Sequence, residues 1–134
     1  LGQVNQKALI KKGGKVLLVK YPDKAENRAR GKYDMRGGRL NVDEGTLDGL
    51  KREVFEEIGT EIGVKRILNT GTFTNLSGLV NFFVIYEAFL IDEQKPFKLE
   101  EAEVADVLWI EPKEFFTLPI IYPEYQEALR SILL

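Results

Sequence analysis

Glu53, Glu56 and Glu57 stand at i, i+3 and i+4 in a stretch with helical periodicity. That spacing gathers their side chains on one helix face. Like charges so placed cost an isolated helix about a few tenths of a kcal/mol per pair, which a cation would relieve. Such stripes are more often plain solvated faces, and the helix alone does not decide between the two. The rest of the chain narrows the choice of cation. It contains no cysteine and no histidine, so thiolate and imidazole ligands are excluded, as are a cysteine nucleophile and the usual acid–base group near neutral pH. Oxygen-only ligation favours a hard ion, magnesium first, with manganese or calcium next.

The charge is unevenly distributed although its formal sum is only −2. Lys20, Lys24, Arg28, Arg30, Lys32, Arg36 and Arg39 form a basic segment that runs directly into the acidic one. An anionic ligand and a cation sharing one site would account for this order, and so would two solvated faces of opposite sign. The near-neutral total argues against a nucleic-acid coat. The longest apolar stretch, Leu79 to Ile91, is interrupted by Asn81 and Glu87 and is too short to span a bilayer. No charged-then-apolar leader opens the sequence. These features lead us to expect a soluble, cytoplasmic protein, monomer or homodimer, with a small-molecule partner and neither nucleic acid nor membrane.

Several elements must position the carboxylates. Ala8 to Ile10 and Lys15 to Tyr21 flank Gly13-Gly14 and read as a β-hairpin. Pro22 to Lys32 is polar and reads as a surface loop. Leu47, Leu50, Val54 and Ile58 recur at helical spacing between Asp43 and Gly59, forming an apolar stripe opposite the glutamates, with Gly59 as the stop. Val64 to Thr74 and Leu79 to Ile91 read as two long strands. The second is apolar on both faces and is expected to be covered on both sides. Val104 to Ile110 reads as a strand, Pro112 to Phe116 as a helical turn, and Pro123 to Leu134 as a closing helix with Tyr125, Ala128, Leu129 and Ile132 inward. Strands and helices alternate without an internal repeat, which predicts one α/β domain over residues 1–134.

The segment from Gly38 to Thr60 resembles the Nudix box, whose pattern is Gly, five residues, Glu, seven residues, then Arg-Glu-aliphatic-any-Glu-Glu-any-Gly-aliphatic. Gly38, Glu44, Arg52, Glu53, Val54, Glu56, Glu57 and Gly59 occupy their places, and Thr60 departs from the usual aliphatic residue. Outside the box, the hairpin and the run from Glu103 to Trp109 with its trailing Pro112 turn are similar to the family more loosely. Two further departures from the common family pattern lie in and before the box. Met35-Arg36 stands where Leu-Pro is frequent, and Asp43 stands where Gly often precedes the box glutamate.

The resemblance implies the Nudix fold, a mixed β-sheet sandwiched between helices (α/β/α). It also implies magnesium-dependent hydrolysis of a diphosphate linkage in a nucleoside diphosphate joined to another group, with manganese as a possible substitute. On that basis Glu56 and Glu57 are the principal metal ligands and Glu53 a ligand or general base. A backbone carbonyl of Gly37 or Gly38 completes the set. Arg52 orients a box carboxylate, Glu44 supports the site or ligates from outside, and Glu103 is a candidate extra base or ligand from beyond the box. Arg28, Arg36, Arg39 and Tyr33 are the expected substrate contacts; Phe73, Phe82 and Phe83 could stack on a base but are more readily core. Small size favours a nucleoside triphosphate pyrophosphohydrolase of the MutT type over an ADP-ribose or nucleotide-sugar pyrophosphatase. A non-catalytic nucleotide sensor is disfavoured by the intact carboxylates, and the family's isomerase chemistry by the missing cysteine. Replacing Glu53 or Glu57 with Gln should relieve repulsion and leave the apo-protein as stable or slightly more so.

Overall fold

The structure is a computed structural model that describes residues 3–23, 29–75 and 77–134. The hairpin forms as the paired glycines predict, with β1 (Gln3–Lys12) turning through Gly13 and Gly14, both at positive φ, into β2 (Lys15–Lys20). β1 begins earlier than its apolar run, because Gln3 to Ile10 pair in parallel with β6 (Val80–Leu90). Two short strands follow the loop, β3 (Tyr33–Asp34) on β2 and β4 (Arg36–Arg39) antiparallel to β1. β5 (Ile62–Thr74) forms the far edge against β6, and β7 (Asp106–Ile110) pairs with β2. The result is a mixed seven-stranded sheet.

Each sheet face packs against its own helix. On one, Leu50, Val54 and Ile58 of α1 (Thr46–Ile58) meet Ala8, Ile10, Leu17, Val19, Tyr86 and Ala88. On the other, Tyr125, Ala128 and Leu129 of α2 (Pro123–Leu133) and Phe115 of a 3-10 turn (Pro112–Phe116) meet Leu9, Val16, Met35, Phe73, Phe83 and Ile85. This is the expected α/β/α arrangement.

Two sequence expectations need correction. Leu47 is exposed, and Gly49 takes the buried place in the first turn of α1, so the anchoring stripe starts one turn later. β6 is not covered throughout: Tyr86, Ala88 and Leu90 lie under α1, whereas Val80 and Phe82, on the same alternation, are 51% and 42% exposed. The apolar pattern records which way a side chain points, but the reach of the covering helix decides whether it is buried. Phe73 and Phe83 are core residues, stacked on one another and edge-on to Tyr125.

Candidate active site

Helix α1 presents Glu53, Glu56 and Glu57 beside the β4 backbone. The approach is close because Gly38 has no side chain: a Cβ there would sit 3.0 Å from Glu53 Oε2. Gly37 is still more constrained. Its φ of 130° lies outside the range of L side chains, and a Cβ would fall 2.0 Å from the Gln6 carbonyl oxygen. The pair is therefore the means by which β4 passes between β1 and the glutamates. Asp43, where the family often has glycine, holds the left-handed conformation with φ 68°. A short acidic side chain tolerates that region better than most residues, which lets Asp43 stand where glycine is frequent.

The glutamates border a cavity of about 1240 Å³ that also receives Asn5, Lys7, Tyr21, Asp34, Arg36, Arg39, Glu100, Glu103, Tyr122 and Tyr125. That volume accommodates a nucleotide-sized molecule. Two arginines hold the carboxylates from opposite sides. Arg52, about one-third exposed, bonds Glu44 through Nε (2.5 Å) and Nη2 (3.0 Å), Glu56 through Nη1 (3.0 Å), and Glu53 through Nη2 (3.2 Å). The Arg52 hydrogen bond holds the Glu44 carboxyl below its ordinary value. Arg36 is 2% exposed and lies beneath the glutamates, with Nη1 donating to Glu57 Oε2 and Nη2 4.0 Å from Asp34. Burial pushes the Glu57 carboxyl up to about 7, against the opposing pull of Arg36 and Lys7. Asp34 also accepts from Lys7 Nζ at 2.8 Å and from the Tyr21 hydroxyl at 2.5 Å.

These donors suit a hard divalent cation. They are all oxygens, and the buried Glu57 Oε1 has no hydrogen-bond partner among the described residues. As the side chains stand, however, no three acidic groups among the described residues converge on one point that would hold a metal ion. Arg52 and Arg36 instead hold these carboxylates in ion pairs.

The structure brings Glu53, Glu56, Glu57, Gly37, Gly38, Arg36, Arg39 and Glu103 to one cavity, while Arg52 and Glu44 brace its carboxylates from outside. Tyr33 is not among the lining residues; it packs against the α2-side core, and the aromatic side chains at the cavity are Tyr21, Tyr122 and Tyr125. Arg28 lies outside the described residues. Sequence reasoning missed Lys7, Asp34, Tyr125 and Glu100 as cavity residues. The available signal was Gln6-Lys7, two polar residues leading directly into an apolar strand. Nothing local marks Asp34 as the partner of Lys7.

The NUDIX domain family model matches residues 7–132. The chain is 33% identical over 123 residues to the NAD-capped RNA hydrolase NudC of Mannheimia succiniciproducens, covering 88% of this chain and 40% of that protein. The chain thus spans less than half the length of this curated relative. Among solved structures it is similar to the MutT protein from Methanosarcina mazei, with a TM-score of 0.81 at 21% identity over 97% of this chain and 91% of that one. It is also similar to the E. coli ORF135 protein, with a TM-score of 0.76 at 22% identity over 98% and 90% of the two chains. No described helix is long and apolar enough to cross a membrane.

Proposed function

The chain belongs to the NUDIX domain family, and we propose that it is a magnesium-dependent hydrolase that cleaves a diphosphate linkage in a nucleoside diphosphate joined to a further group. Nucleoside triphosphates are the preferred class, giving a nucleoside monophosphate and pyrophosphate. The observation that supports this most directly is the set of Glu53, Glu56 and Glu57 lined up against the Gly37-Gly38 backbone at the mouth of a nucleotide-sized cavity.

In this reading Glu56, Glu57 and a carbonyl of Gly37 or Gly38 hold the metal. Bound there, magnesium supplies a polarised water and neutralises charge on the phosphate oxygens. Glu53 takes the proton as the water oxygen attacks phosphorus and the bridging P–O bond breaks, and the departing pyrophosphate or nucleoside monophosphate carries away the bond's electron pair. Arg52 keeps Glu53 and Glu56 oriented and Glu44 anchors Arg52. Glu103, exposed on the cavity rim, is the alternative base. Arg39, exposed on the same rim, contacts the phosphates, whereas Arg36 is engaged below with Glu57.

The 33% identical relative, a hydrolase of NAD-capped RNA, favours a second reading in which the linkage joins two nucleosides. A substrate panel separates them: nucleoside triphosphates, ADP-ribose, nucleotide sugars and dinucleotides, each with millimolar magnesium and with chelator. We expect pyrophosphate from one or more triphosphates and loss of activity on chelation. Nucleoside monophosphates released mainly from dinucleotides would favour the second reading. Preference for simple phosphomonoesters, or full turnover without metal, would refute both.

A further inference from the structure

Arg36 is a fully buried cation bonded to a carboxylate that the proposed function assigns to a metal. A guanidinium without water needs a counter-ion, and a metal at Glu57 would compete for the only one it contacts closely among the described residues. A second acceptor stands ready. Asp34 lies 4.0 Å from Arg36 Nη2, and its Oδ1 is buried with no hydrogen-bond partner among the described residues, as is Arg36 Nε. The unpaired donor and the unpaired acceptor thus lie on the same two residues. Lys7 and Tyr21 already fix Asp34 through its other oxygen, so it need not move to receive the guanidinium.

We infer that Arg36 is an internal counter-ion exchanged between two carboxylates: it holds Glu57 while the site is metal-free and transfers to Asp34 when a metal takes Glu57. Arg36 is then a positioning residue with two partners. It keeps Glu57 ordered without metal, at the cost of weaker metal binding. The exchange also ties metal loading to the cavity floor, because Lys7 shares Asp34 with the arriving guanidinium. This rests on the reading of Glu57 as a metal ligand.

The test is direct Mn2+ binding, measured by the free-ion electron paramagnetic resonance signal on nucleotide-free protein. Arg36→Met should bind Mn2+ on the order of tenfold more tightly, because the competitor is gone. Asp34→Asn should weaken binding in wild type but have little effect in the Arg36→Met background, since Asp34 acts through Arg36. A pure field effect of the Asp34 charge predicts the same loss in both backgrounds, and that result would overturn the exchange. Equal or weaker Mn2+ binding by folded Arg36→Met would overturn it too. Should Arg36→Met fail to fold, the wild-type protein still decides: the Arg36 Nε–H resonance should shift on magnesium titration, and an unmoved resonance at saturation refutes the transfer. Glu57→Gln separates the two layers. Unchanged Mn2+ affinity in that variant removes Glu57 from the metal site altogether, whereas weakened affinity with no Arg36 effect removes only the exchange.

Discussion

The two arginines that flank the glutamates of α1 perform the same electrostatic task in different media. Arg52 is part-exposed and spreads its donors over Glu44, Glu53 and Glu56. Water screens each of these contacts, so any one can be lost with little effect on folding. Arg36 lies in the interior with Glu57 as its close partner and Asp34 beyond. There a single missing partner strands a charge without solvent, which is far more costly. One helix therefore carries a replaceable outer clamp and an inner pair that is coupled to the fold. The position of a carboxylate around the helix decides whether changing it affects chemistry, stability or both.

Three variants probe that contrast. Glu53→Gln, on the outer side, should lower kcat by about two to four orders of magnitude, the scale of a lost base or metal contact. Its metal-free melting temperature should stay close to wild type, because Gln still accepts from Arg52. A Glu53→Gln enzyme that is active but melts far below wild type would make the outer carboxylates structural. Glu57→Gln, on the inner side, should lose activity, and its metal-free stability relative to wild type should rise with pH by denaturant unfolding: the raised Glu57 carboxyl makes wild type lose stability as pH climbs from the ordinary 4.5 through about 7, whereas Gln does not titrate. The sequence alone suggested unchanged or raised stability for this variant from relief of repulsion. Burial keeps that direction and adds a pH dependence, and a Glu57→Gln protein whose stability relative to wild type does not change with pH would erase the inner–outer distinction.

The smallest effect belongs to Glu44→Gln. Arg52 holds the Glu44 carboxyl below its ordinary value of 4.5. A depressed folded-state value contributes stability above the unfolded value and loses it as pH falls through the folded one. Glu44→Gln should therefore melt about 1–3 °C below wild type at pH 7. The gap should close as pH drops below the ordinary carboxylate range. A gap that is constant with pH would point to lost packing against Gly49, not to the ion pair.

The fold was largely legible. The Gly13-Gly14 turn, the 3.6-residue stripe of Leu50, Val54 and Ile58, and the inward set of α2 all follow from local periodicity and turn chemistry. Misreadings arose where coverage by a distant element decides burial, as at Leu47, Val80 and Phe82. The parallel pairing of β1 with β6 also has no local signature, since its register joins Gln3 to Asn81.

For the site, the sequence by itself determined the donor chemistry and its local order. With no histidine or cysteine the donors are oxygens, and the spacing from Gly38 to Gly59 places Glu53, Glu56 and Glu57 on one helix face next to a glycine pair. Only the tertiary structure decided which glutamate meets which cation. Arg36 and Arg52 are the same residue type in neighbouring segments, and no periodicity tells them apart. β4 passes between β1 and α1 at Gly37, which directs Arg36 under the helix, while Arg52 leaves the helix toward solvent and Glu44. Lys7 meets Asp34 because β4, which begins two residues after Asp34, pairs with β1 at Lys7 and Ala8. Burial and long-range pairing depend on how separate elements pack, and a charge acquires its energetic weight only when that packing removes its water.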